Sequence, residues 1–140
     1  MSRPALTQDQ LQVDLDDSPF QRHLALEVVN ADPERSTLAI RMPFSKVVER
    51  QAGTGQYHGG AIASLVDVTG DYALMMSLGS AVPTINFRVD YLRPAGGSEI
   101  VATALVRRAG RSIAVVDVDV VDAEGRLVAV GRGCYSTLAG

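Results

Sequence analysis

The stretch that decides the fold runs from Tyr57 to Met76 and reads YHGGAIASLVDVTGDYALMM. After His58-Gly59-Gly60 it is apolar on nearly every helical face, so the helix expected from about Gly59 to Leu78 must be enclosed on most sides. Gly79 suits a helix C-terminus and Pro83 cannot continue one, which sets the stop. Two carboxylates, Asp67 and Asp71, interrupt the apolar run and no Lys or Arg lies within it to pair with them. The stretch Ala61–Leu78 has the length of a membrane span, but two aspartates and a glycine inside it favour a helix buried in protein.

Outward from the helix, the chain reads as strands. Leu24–Val29 and Ser36–Met42 flank the turn residues NADPER. The segment SKVVERQAGTGQ is a loop or short strand. Four strand-like runs follow: TINFRVDYLRPA, SEIVATALVRRAG, RSIAVVDVDVVDAEG and RLVAVGRGCYSTL. Gly96-Gly97, Ala109-Gly110 and Ala123-Glu124-Gly125 separate them and suggest tight hairpins throughout. In the third run Val116, Val118 and Val120 alternate with Asp117 and Asp119, so one face is buried and one wet. No βαβ rhythm appears, so the expected architecture is α+β: an antiparallel sheet of about six strands wrapped around one long central helix. Residues 1–18 form a polar N-terminal segment with a short helix capped at Thr7, and 19–140 form a single domain.

Composition excludes several classes. The chain has 140 residues and a net charge of -3, with no basic excess to drive nucleic-acid or anionic-membrane binding. Its single cysteine, Cys134, rules out an internal disulfide and fits a reducing cytosol, and residues 1–18 hold no apolar core of a signal peptide. A cytoplasmic protein is therefore expected. No histidine, cysteine or carboxylate spacing fits a metal site, and GTG and GRG lack the strand–glycine–helix context of a nucleotide loop, so no cofactor is expected. Cys134, His58 and an aspartate have the residue types of a nucleophilic triad, but a cysteine within a strand-like run reads as an inert core residue.

The helix carries the chemistry. Gly60, Ser64, Asp67 and Asp71 are spaced 4, 3 and 4 and share one face. A carboxylate in apolar surroundings is costly, and such a cost is tolerated mostly where a tuned acid does chemistry; the alternative is a wet stripe that merely solubilises the helix. Asp71, one turn further on, reads as exposed or as an ordinary hydrogen-bonding group. Glycines at a helix N-terminus let a ligand approach unpaired N–H groups and the positive dipole end, a donor suited to a polarised carbonyl oxygen. Gly59 and Asp67 lie eight residues apart, roughly 12 Å at the helical rise. One helix cannot present both to one carbonyl, so if they cooperate they come from two subunits.

HGGAIASLVD, with an acid nine residues after the histidine, resembles the hotdog-fold acyl-CoA thioesterases of the phenylacetic-acid-degradation type. TINFRVDYLRPA is similar to the strand that follows the helix in that family, and the run from Gly110 to Ala129 to its last hairpin. The resemblance implies a sheet wrapped around one helix, dimers with a continuous sheet and often homotetramers. It implies that the Gly59 N–H polarises a thioester carbonyl while Asp67 of the partner subunit acts as nucleophile or general base on an acyl-CoA. Asp71 stands where some relatives carry a hydroxyl that holds the water, and Thr84 near where others do. His58, which begins the motif, is more structural than catalytic, and Gly60 completes it. Relatives often carry Asn or Gln six residues before the histidine; here that position is Ala52, with Gln51 or Gln56 as substitutes. Arg93 and Arg111 are the arginines expected to meet CoA phosphates. The rival readings are a non-catalytic acyl-CoA-binding or regulatory module on the same fold, and a hotdog hydratase or dehydratase. The latter needs an acid/base histidine on the helix, and none follows His58.

Overall fold

The computed structural model describes residues 3–138. In chain order the elements are α1 (Gln8–Asp17), α2 (Pro19–His23), β1 (Glu27–Asp32), β2 (Thr37–Pro43), a 3-10 turn (Lys46–Val48), α3 (Gly59–Leu78), β3 (Thr84–Tyr91), β4 (Glu99–Ala109), β5 (Ile113–Asp122) and β6 (Leu127–Ser136). The six strands form one antiparallel sheet in the order β1-β2-β4-β5-β6-β3. The expected sheet around one long helix is what the chain forms.

Helix α3 is long and apolar enough to cross a membrane by length and composition, yet its apolar surface packs on the sheet. Leu65, Val66, Ala73, Leu74 and Met76 meet Leu38, Ile40, Ile100, Val116, Val118 and Val120 in a single core. Each fully buried aliphatic side chain contributes about 2 kcal/mol. Small strand residues bring helix and sheet close. Ala102, Ala104 and Ala114 are fully buried, and a side chain at Gly131 would strike Val66 at 2.6 Å. Gly79 ends the helix in the left-handed conformation (φ 83°), its N–H donating to the Met75 carbonyl. Thr7 and Gln10 close a reciprocal cap on α1, and Leu11 and Leu15 of that helix enter the same core.

Three local expectations change. Leu24 ends α2, which Ser18 caps and Pro19 opens, so β1 starts at Glu27 rather than at Leu24. The β1–β2 turn is shorter than NADPER suggests. Asn30, Ala31 and Asp32 pair with β2 beyond a bulge at Val29, and the chain turns only at Pro33, where the Asp32 carboxylate accepts the Arg35 N–H. Most consequentially, β3 and β4 are not a hairpin. β3 pairs with β6 at one edge while β4 lies between β2 and β5. Gly96 bridges to Gln56 instead of closing a two-strand turn. On β5, Val116, Val118 and Val120 face the core as the alternation requires. Asp117 lies on the outer face with Arg132, whereas Asp122 turns inward and accepts the Glu124 and Arg126 N–H groups of the β5–β6 turn.

Candidate active site

The N-terminus of α3 is capped by His58, whose Nδ1 accepts the Gly60 N–H at 2.8 Å. The acceptor role puts the imidazole proton on Nε2, and it occupies Gly60. Among the described residues the Gly59 N–H has no acceptor. On the other side of the same residue, the Tyr91 hydroxyl donates to the Gly59 carbonyl at 2.6 Å, which fixes the first peptide of the helix. A groove of about 410 Å³ opens here, lined by Arg50, Gly59, Ile62, Tyr91, Leu92 and Arg93 among others. Gln56 sits on its rim, its amide oxygen accepting from Arg50 Nε at 2.7 Å. Ala52 is exposed in the adjoining turn.

Two turns further along, Asp67 is held twice. The Thr84 hydroxyl donates to its carboxylate at 2.7 Å, and the Tyr135 hydroxyl donates to its backbone carbonyl at 2.9 Å. The Tyr135 ring reaches the helix because Gly70 and Gly133 leave room for it; a side chain at either would overlap that ring or its hydroxyl. Burial pushes the Tyr135 phenol well up, so it remains a donor. Asp71 is only partly exposed. Its carboxylate accepts the Val82 N–H at 3.2 Å. Burial pushes the Asp71 acid up to about 6, the Val82 N–H pulls it down, and the charges of Asp67 and Asp14 add to the rise. Of the two alternatives its place one turn on suggests, exposed or hydrogen-bonding, Asp71 takes the second, half-buried and holding a backbone N–H.

The sites expected from sequence thus separate into two groups within one chain. Gly59, Gly60, His58, Gln56 and Arg93 gather at the helix N-terminus with the groove. Asp67, Thr84 and Asp71 gather in the middle of the helix, about 12 Å away along its axis. Arg111 lies in the β4–β5 turn, near the strand ends that carry Thr84. Tyr135, Tyr91 and Arg50 were not picked out from sequence. The signals were present as glycines: Gly70 inside a buried helix and Gly133 inside a strand each mark a close approach. Among the described residues no cluster of His, Cys, Asp and Glu has the makings of a metal site.

A six-stranded antiparallel sheet wrapped around one long helix is the hotdog fold of thioesterases. Residues 54–129 match the thioesterase superfamily, and the chain belongs to that family. It is 35% identical over 132 residues to a putative esterase of Halobacterium salinarum, with 86% of this chain and 85% of that protein covered. It is 30% identical to the Escherichia coli medium/long-chain acyl-CoA thioesterase YigI, covering 84% of each chain. The solved structure of the E. coli PaaI protein from the phenylacetic acid degradation operon superposes with a TM-score of 0.80 at 25% identity, covering 92% of this chain and 91% of that one.

Proposed function

We propose that the chain hydrolyses an acyl-CoA thioester at a site shared by two copies, with the Gly59 N–H of one polarising the carbonyl and Asp67 of the other acting as nucleophile or general base. The observation that carries this reading is the placement of β3. Its first residue, Thr84, holds Asp67, and its last, Tyr91, holds Gly59. β3 is also an edge strand, with Ile85, Phe87 and Tyr91 exposed. An exposed apolar edge strand calls for a partner strand. Antiparallel pairing of β3 with its own copy sets the Thr84 end of one against the Tyr91 end of the other. Each Asp67 then approaches the Gly59 of its partner.

In that arrangement the acyl-CoA lies along the groove at Gly59. Ile62, Leu92 and Ala95 offer apolar surface to the acyl group, and Arg50 and Arg93 face the phosphates. Arg111 serves the same end from the β4–β5 turn. Small aryl and short or medium acyl chains suit the groove, and the YigI likeness adds longer chains as candidate substrates. Two dimers joining as a homotetramer follow the family resemblance, and a reducing cytoplasm suits the lone Cys134 thiol.

The test uses two variants, each lacking one half of the site. Asp67→Ala removes the acid. Gly59→Pro removes the donor at a helix position that tolerates proline. Each alone should release no thiol from acyl-CoA while remaining folded. Co-expressed as a mixed dimer, they leave one intact site in each heterodimer, and activity should return to about a quarter of wild type after random pairing. Wild-type turnover by Asp67→Ala would sink the role of the acid; silent heterodimers would sink the shared site.

A further inference from the structure

The Thr84 hydroxyl meets Asp67 only if the chain leaves α3 along one path. Gly79 to Pro83, which makes that exit, has no regular structure. Two contacts secure it just before Thr84: the Pro83 carbonyl accepts the Ser136 N–H at 2.8 Å, and the Val82 N–H donates to the Asp71 carboxylate at 3.2 Å. The first ties the exit to the sheet. The second ties it back to α3, one turn beyond Asp67 on the same helical face.

We propose that Asp71 is a positioning residue: by holding the Val82 N–H it fixes the exit from α3 and so aims the Thr84 hydroxyl at Asp67. This rests on the reading of Asp67 as the acid that acts on the thioester. A carboxylate suits the task. Charge-assisted hydrogen bonds are shorter and stronger than neutral ones, and an acid on a helix reaches a backbone N–H that no hydrophobic residue there would satisfy. The groups facing Asp71 are Asp67 on its own helix, Asp14 from α1, and the phenols of Tyr72 on α3 and Tyr135 on β6. Among the described residues no salt bridge involves it. With its acid pushed up to about 6, the hold on Val82 tightens as Asp71 ionises through that range.

The experiment compares Asp71→Ala, Asp71→Asn, Thr84→Val and the double variant Asp71→Ala/Thr84→Val in acyl-CoA hydrolysis. Asp71→Ala should lower kcat about tenfold with KM little changed. Asp71→Asn keeps an acceptor for Val82 and should recover most of that loss. The double variant should cost no more than Thr84→Val alone, because both act on one contact. A second measurement needs no turnover: the Val82 amide resonance of the wild-type protein should titrate with a midpoint near 6, and that titration should vanish in Asp71→Asn. A folded Asp71→Ala with wild-type kcat, additive losses in the double variant, or a wild-type Val82 amide that does not titrate would each overturn the proposal. If Asp67→Ala keeps turnover, the proposal falls through its premise, and a Val82 amide that still titrates shows that the chemistry rather than the contact was misread.

Discussion

The first turn of α3 and its middle are built in opposite ways. At the first turn, the proposed function rests on what is missing. Gly59 and Gly60 carry no side chain, His58 satisfies one N–H, and the other faces an open groove. In the middle, both acids have partners. Asp67 is held through its carboxylate and its carbonyl, Asp71 through the Val82 N–H, and Gly70 is filled by Tyr135. In the proposed reaction the Gly59 N–H receives a substrate oxygen, and a donor with that task has to stay unpaired, so the helix is left bare there. A carboxylate that must point in one direction needs partners, so the helix is crowded there. The same glycine residue type serves both ends: at Gly59 it leaves the proposed carbonyl site open, at Gly70 it admits a tyrosine of the chain itself.

This contrast can be broken at the crowded end first. Gly70→Ala places a methyl against the Tyr135 hydroxyl. It should cost about 2 kcal/mol of stability, read as a fall in Tm, and Tyr135→Phe in the same chain should return part of it. Asp71→Asn should act in the opposite direction. The native acid sits near 6 against an ordinary 3.8, so between those values the folded protein binds more protons than the unfolded one, and stability falls as pH rises through that window. Above it the charged, buried carboxylate is a standing cost. The amide variant should therefore be more stable at pH 7 by about 1–2 kcal/mol, and chemical denaturation at pH 4 should show the two proteins converging. Thr84→Val removes a single hydrogen bond to a carboxylate and should lower kcat by about tenfold while KM holds; a rise in KM alone would instead make Thr84 a substrate contact. Smallest of all, Arg107→Ala removes an exposed pair 3.5 Å from Asp117 on the outer face of the sheet. It should change Tm little, within about 0.5 kcal/mol, and leave turnover at the wild-type rate.

The helix and the place of Asp67 on it were legible in the sequence because both are statements about one short segment. An apolar run closed by Gly79 reads as a buried helix, and an unpaired Asp67 inside it reads as a group with a task. The alternation of Val116, Val118 and Val120 was equally plain. The partner of β3 was not. Gly96-Gly97 has the composition of a hairpin turn, and local composition cannot tell whether the strand beyond it returns to its neighbour or crosses the sheet. The same limit applies at the site. Tyr135 reads as an ordinary core aromatic, and the group that holds Asp71 is a backbone N–H, which every residue but proline possesses. Asp71 was for that reason read as the lesser acid, although burial pushes its acid up to about 6.

The crossing of β3 also sets an order of assembly. Asp67 and Thr84 are 17 residues apart, but the strand carrying Thr84 has no neighbour within the chain until β6 is inserted between it and β5. Tyr135, on that same strand, lies 68 residues beyond Asp67. A growing chain that has already made α3, β4 and β5 can close most of its core and still leave Asp67 without the Tyr135 contact and β3 without a neighbour. Contacts that span such lengths of chain are the slow ones to form, so Asp67 is synthesised well before the groups that set it in place.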